Sequence, residues 1–118
     1  MASLSVPDCL FCKIARKEVD ADVVHESDSI LLFRVINPMA PVHVLAIPKE
    51  HIDSAADLGP QHAAPVSEML TALGECASNE KLERGYRIVT NVGPDAGQSV
   101  EHLHFHLLGG RYMKWPPG

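Results

Sequence analysis

The stretch His102-Leu103-His104-Phe105-His106-Leu107-Leu108, stopped by Gly109-Gly110, decides how this 118-residue chain folds. Alternate side chains of a β-strand point to one face. The spacing of two predicts a strand over 102–108 with His102, His104 and His106 in a row on one face. Leu103, Phe105 and Leu107 then supply an apolar opposite face. A helix would spread the three imidazoles around its circumference, and Gly109-Gly110 suits a strand end better. Imidazoles are poor packing material, because each brings ring nitrogens that need partners. A solvated strand face is the plain alternative, and two histidines two apart on a strand can also chelate zinc. The favoured chemistry is imidazole as nucleophile, with its neighbours holding tautomer and charge.

Upstream lies Asn91-Val92-Gly93-Pro94-Asp95-Ala96-Gly97-Gln98-Ser99-Val100, a loop with two glycines and several small or amide side chains. Glycine lets backbone approach a ligand, and successive N–H groups form anion-binding nests. A donor-rich loop beside an imidazole row points to a phosphate held at a nucleophile, although most such loops are only turns.

Composition sets the frame. The length suits one domain with one core, and 46% hydrophobic with 21% charged residues describes an ordinary globular chain. A net charge of −5 without a basic cluster argues against nucleic acid as a partner. No apolar run reaches membrane-spanning length and no signal-peptide core opens the chain, so the expected compartment is the cytosol, with the nucleus also open.

Residues 1–8 read as a mobile polar arm, followed by a short helix over 10–16. Strands are expected over 23–26 and 30–36, joined by the hairpin Ser27-Asp28-Ser29. His25 reads as solvated at a strand edge. A two-proline loop leads to a third strand over 42–47, interrupted by His43 and ended by Pro48. Lys49 is either a solvated charge or a contact for an anionic substrate. The main helix spans 60–79, its regular part starting near Ala63 or Ala64, with Val66, Met69, Leu70, Leu73 and Ala77 as the buried stripe. His62 falls at its solvent-facing start, and Cys76 reads as a small core residue. A fourth strand over 85–91 and the fifth over 102–108 complete an α+β fold: an antiparallel sheet of about five strands with one long helix on a face. Trp115, in a tail without helix or strand pattern, should pack somewhere rather than stand in water.

Three cysteines in a reducing compartment argue against a disulfide framework. Cys9-Leu10-Phe11-Cys12 is a CxxC, which serves as a redox pair, as half of a zinc site, or simply as two reduced thiols. Zinc needs two further ligands, and His51 and His102 are on offer.

The chain closely resembles the nucleotide-binding branch of the histidine-triad superfamily. The likeness runs from about Cys9 to Gly118 through H-L-H-F-H-L-L, G-Q-S-V, P-V-H-V-L at 41–45, I-P-K-E-H at 47–51 and the ending G-G-R-Y-M-K-W-P-P-G. It implies a homodimer whose interface takes the 111–118 tail, with Trp115 reaching towards the partner's site. It implies a structural zinc held by Cys9, Cys12, His51 and His102, and no obligatory catalytic metal. The implied reaction is attack by His104 on the α-phosphorus of a purine nucleoside 5′-phosphoramidate, or of an acyl-adenylate. A nucleotidyl-histidine forms, and water then releases the monophosphate. His106, Asn91 and the loop at Gly97, Gln98 and Val100 meet the phosphate charge; Ser99 donates to the leaving group; His102 and His43 orient the row. Phe11, Ile14, Phe33 and Ile36 would sandwich the base.

One departure stands out. Where the branch carries an aspartate that grips the ribose hydroxyls, this chain reads Phe33-Arg34-Val35-Ile36, and valine accepts no hydrogen bond. Nucleotide binding is expected to survive with weaker ribose discrimination. Two other readings stay open: a hydrolase or transferase of dinucleoside polyphosphates, and a non-catalytic nucleotide-binding adaptor dimer.

Overall fold

The computed structural model describes residues 5–118. Its order is α1 (Leu10–Ala15), β1 (Asp22–Glu26), β2 (Ile30–Arg34), β3 (Val42–Pro48), α2 (Ala63–Asn79), β4 (Tyr86–Val89) and β5 (Phe105–Gly109). The five strands make one antiparallel sheet in the order β1-β2-β3-β5-β4, leaving β1 and β4 at the edges. Of the arm expected over 1–8, residues 1–4 lie outside the described residues, while the Val6 N–H donates to Cys12 Sγ at 3.3 Å. No helix among the described residues is long and apolar enough to cross a membrane.

Strands β2 and β3 are covered on both faces and are largely apolar on both sides. Ile30 and Leu32 of β2, Val44 and Ala46 of β3, and Leu107 of β5 pack against Met69, Leu73 and Ala77 of α2. Leu31, Phe33, Leu45 and Ile47 face the other way and pack against Phe11 and Ile14 of α1. Alternation along each strand puts the two sets on opposite faces, and the sheet keeps them apart. Gly109 permits close approach at the end of β5, since a Cβ there would lie 2.5 Å from a Leu82 methyl.

Several expectations are corrected. The strand predicted over 102–108 begins only at Phe105, because its pairing with β3 ends at Ala46↔Phe105 and that with β4 already at Val89↔His106. Residues 102–104 stay extended by other means: Leu103 N–H donates to the Ile52 carbonyl at 2.6 Å, and Thr90 Oγ1–H to the His104 carbonyl at 2.8 Å. The alternation survives, with Leu103 and Phe105 in the α2 core. β2 ends at Arg34 rather than residue 36, although Val35 N–H still reaches the His43 carbonyl at 3.1 Å. Leu70, placed in the buried stripe, is exposed. His62, expected towards solvent, is buried, because its Nδ1 turns back to accept the Gly59 N–H at 2.9 Å and satisfies the turn before α2. Cys76 is a core residue as expected.

Candidate active site and metal centre

The histidine row lies on the α1 side of the sheet, opposite α2. Leu45, on the same face, is the register partner of His106. Ring centroids are 5.1 Å apart for His43–His106 and for His104–His106, so three imidazoles form a continuous patch.

Hydrogen-bond partners fix the tautomers in sequence. A backbone N–H only donates, so His43 Nδ1 accepts from Met39 at 3.0 Å. In neutral His43 the proton then sits on Nε2, which donates to His106 Nδ1 at 2.9 Å. His106 therefore carries its own proton on Nε2, as a donor. His104 is set the opposite way: its Nδ1 meets the His102 carbonyl at 2.7 Å and must carry the proton, leaving a lone pair on Nε2. Burial keeps His106 neutral, pulling it down to about 4, and pulls His43 down in the same direction. A lone pair on one imidazole beside an N–H on the next is the arrangement for attacking a centre that bears an anionic oxygen.

A cavity of about 760 Å³ opens beside α1 and β2. It brings together Phe11, Ile14, Phe33, Ile36 and Ser99 from the expected site, and its wall includes Val35. Ile36 sits at the rim, 92% exposed, while Val35 packs on the apolar cluster of Phe11 and Phe33. Phe11 is a buried part of the wall, its ring edge-on to Phe33 at 5.7 Å and to His104 at 5.1 Å. Gly97 takes a left-handed φ of 80°, which turns the loop before Gln98. Gln98 is a brace: its Oε1 accepts the Gly93 N–H at 2.9 Å and its Nε2 donates to the Asp53 carbonyl at 2.8 Å. Asn91 lies half-buried just past β4, and Val100 packs on the apolar cluster around Phe11. Trp115 is 80% exposed beside Arg87 of β4, 5.9 Å from guanidinium carbon to ring centroid, and lies outside the cavity wall. Lys49 lies outside the cavity wall and pairs with Glu26 at 2.6 Å.

Cys9, Cys12 and His51 converge on His102 at the end of the row, the ligand atoms of all four lying within 4.8 Å of one another. Cys9 Sγ is 3.2 Å from His102 Nδ1, and Cys12 Sγ is 3.4 Å from His51 Nδ1 and 3.5 Å from His102 Nδ1. Tetrahedral zinc, with bonds of about 2.3 Å to sulfur and about 2.0 Å to nitrogen, sets such separations near about 3.5 Å. The outer nitrogens fit as well. His102 Nε2–H donates to the Pro48 carbonyl at 2.8 Å, and His51 Nε2 meets Asp53 Oδ1 at 2.7 Å. Both rings therefore turn Nδ1 lone pairs inwards, as metal ligation requires. Burial raises the Cys12 thiol, but hydrogen bonds from the Val6 N–H and His51 outweigh it and bring the thiol below its usual value. The donor set and its spacing fit zinc.

Asp53 escaped the sequence reading; its signal was the H-x-D spacing from His51. The Met39 N–H and the Pro48 and His102 carbonyls escaped too, since backbone partners leave no residue signature.

A family model described as the HIT domain matches residues 16–113. The chain is 48% identical over 111 residues to a protein of Synechococcus elongatus called an uncharacterized HIT-like protein, covering 94% of this chain and 97% of that one. It is 46% identical over 111 residues to a Zea mays protein called a 14 kDa zinc-binding protein, covering 92% of this chain and 87% of that one. Among solved structures, a HIT family hydrolase from Legionella pneumophila matches with a TM-score of 0.91 at 49% identity, covering 94% of this chain and all of that one, 100%. By its fold, its triad and a family match over most of its length, the chain belongs to the HIT domain family of the histidine-triad superfamily.

Proposed function

We propose that this protein is a cytosolic nucleotide hydrolase that cleaves the P–N bond of purine nucleoside 5′-phosphoramidates, and acyl-adenylates by the same route. His104 Nε2 attacks the α-phosphorus, the new P–Nε2 bond forms as the P–N bond to the leaving amine breaks, and the amine leaves with the Ser99 hydroxyl proton, which the water of the next step restores. Water then attacks the phosphorus, restores His104 and releases the nucleoside monophosphate. His106 Nε2–H and loop N–H groups face the non-bridging oxygens. Phe11, Ile14, Phe33 and Val35 take the base and sugar. A homodimer, in which the 111–118 tail packs across the interface, belongs to the same reading.

The observation that carries it is the 2.7 Å bond from His104 Nδ1 to the His102 carbonyl. That bond commits the His104 lone pair to Nε2, while the His43–His106 bond commits a proton to the neighbouring Nε2. A nucleophile and an oxyanion donor thus stand side by side without a separate base. Similarity to a protein called a HIT family hydrolase, and a cavity of ligand size with Ser99 in its lining, support it further. Zinc bound by Cys9, Cys12, His51 and His102 would act as a structural cross-link.

Chromatography of released AMP tests the reading. Adenosine 5′-phosphoramidate should be turned over by the native protein, and His104→Ala should lose at least about 10³-fold in kcat. Absence of turnover by folded native protein would reject the assignment.

A further inference from the structure

The CxxC turn has two sides. Cys9 and Cys12 give it the thiols of the candidate metal site, and Phe11, between them in sequence, gives it a buried part of the cavity wall. Helix α1 has only six residues, Leu10–Ala15, and lies outside the sheet. A helix this short has no stability of its own, since one turn's hydrogen bonds do not offset the cost of nucleation. Its position depends on what it touches. On one side it packs Phe11 and Ile14 on Phe33, Leu45 and Ile47. On the other, the thiols reach His51 and His102, which come from the end of β3 and the approach to β5. Thiol hydrogen bonds are weak. Thiolate bonds to a shared zinc would tie the helix covalently to both segments. The Phe11 ring lies 5.9 Å from the His102 ring and 5.1 Å from the His104 ring, so a small tilt of α1 moves the wall relative to the triad.

We propose that Cys9, Cys12 and His51 are positioning residues for nucleotide binding: metal held there fixes the α1 turn, and with it Phe11, so that metal and nucleotide bind with positive coupling. This rests on the nucleotide reading above. Coupling between two ligands is reciprocal, so each must tighten the other by one factor.

Calorimetric titration of AMP into zinc-loaded, chelator-stripped and zinc-restored protein measures the coupling. Stripping should weaken AMP binding about tenfold, within the usual range for coupled sites, and zinc should restore it. Hydrogen exchange should quicken at amides of residues 10–16 and stay unchanged in β2 and β3. In Phe11→Ala, AMP should bind weakly and equally with and without zinc. Equal AMP affinity in loaded and stripped protein would overturn the proposal, as would failure of the native protein to take up zinc; either leaves the nucleotide reading standing. Failure of the zinc-loaded protein to bind AMP would instead remove the nucleotide reading, and this proposal with it. Should stripping unfold the sheet, Asp53→Ala, which frees the His51 ring without deleting a ligand, allows the reciprocal measurement. Its zinc affinity should rise by the same factor in saturating AMP, and an unchanged affinity would overturn the proposal.

Discussion

His102 joins the two halves of the site: its ring faces the thiols, and its carbonyl sets the tautomer of His104. The residue row was legible in the sequence because strand periodicity needs only residue types. The direction of each proton was not, because it depends on Met39, Pro48 and His102 backbone groups that any residue supplies. Protonation gives a first prediction. His106 titrates at about 4 in the folded chain against 6.5 when exposed, so between these values the unfolded chain binds more protons. Its contribution to stability is complete above pH 6.5 and is lost as pH falls towards 4, and buried His43 acts in the same sense. Thermal melts should therefore show a lower Tm at pH 5 than at pH 7.5, with a shallower decline in His106→Asn. An equal slope in both proteins would contradict it.

Secondary elements were readable where one period dominated. The α2 stripe of Met69, Leu73 and Ala77 is buried as expected, and the hairpin at Ser27–Ser29 joins β1 to β2. Boundaries were less readable. The start of β5 is set by where its pairing with β3 and β4 stops, and the reach of a partner strand is invisible in the strand itself. His62 escaped because a histidine that caps a turn with its own ring looks, in sequence, like a polar residue at a helix start. Leu73 is fully buried between α2 and the sheet, so Leu73→Ala should cost about 2–5 kcal/mol through lost burial and the cavity left behind. Urea unfolding measures this. Turnover below the transition should stay near native, since Leu73 lies on the sheet face opposite the histidines; a kcat loss without a stability loss would contradict that placement.

Strand β4 is an edge with Tyr86 and Ile88 exposed, and Tyr112 and Trp115 stand out beside it. Exposed edges and large apolar side chains invite a partner surface. Tail residues have no periodicity, so nothing in their order says what covers them. Light scattering should give twice the 12.8 kDa chain mass, and Ile88→Lys should lower it towards one chain. A native protein that stays at single-chain mass would contradict the dimer.

The central claim is that His104 Nε2 becomes bonded to phosphorus. The most direct measurement is intact-mass spectrometry of native protein mixed with adenosine 5′-phosphoramidate and quenched within milliseconds, with the modified peptide sequenced by fragmentation. One adenylyl group on His104, appearing and then decaying as AMP is released, is the expected result. AMP release with no adduct at any quench time, or an adduct on His43 or His106, would contradict the account.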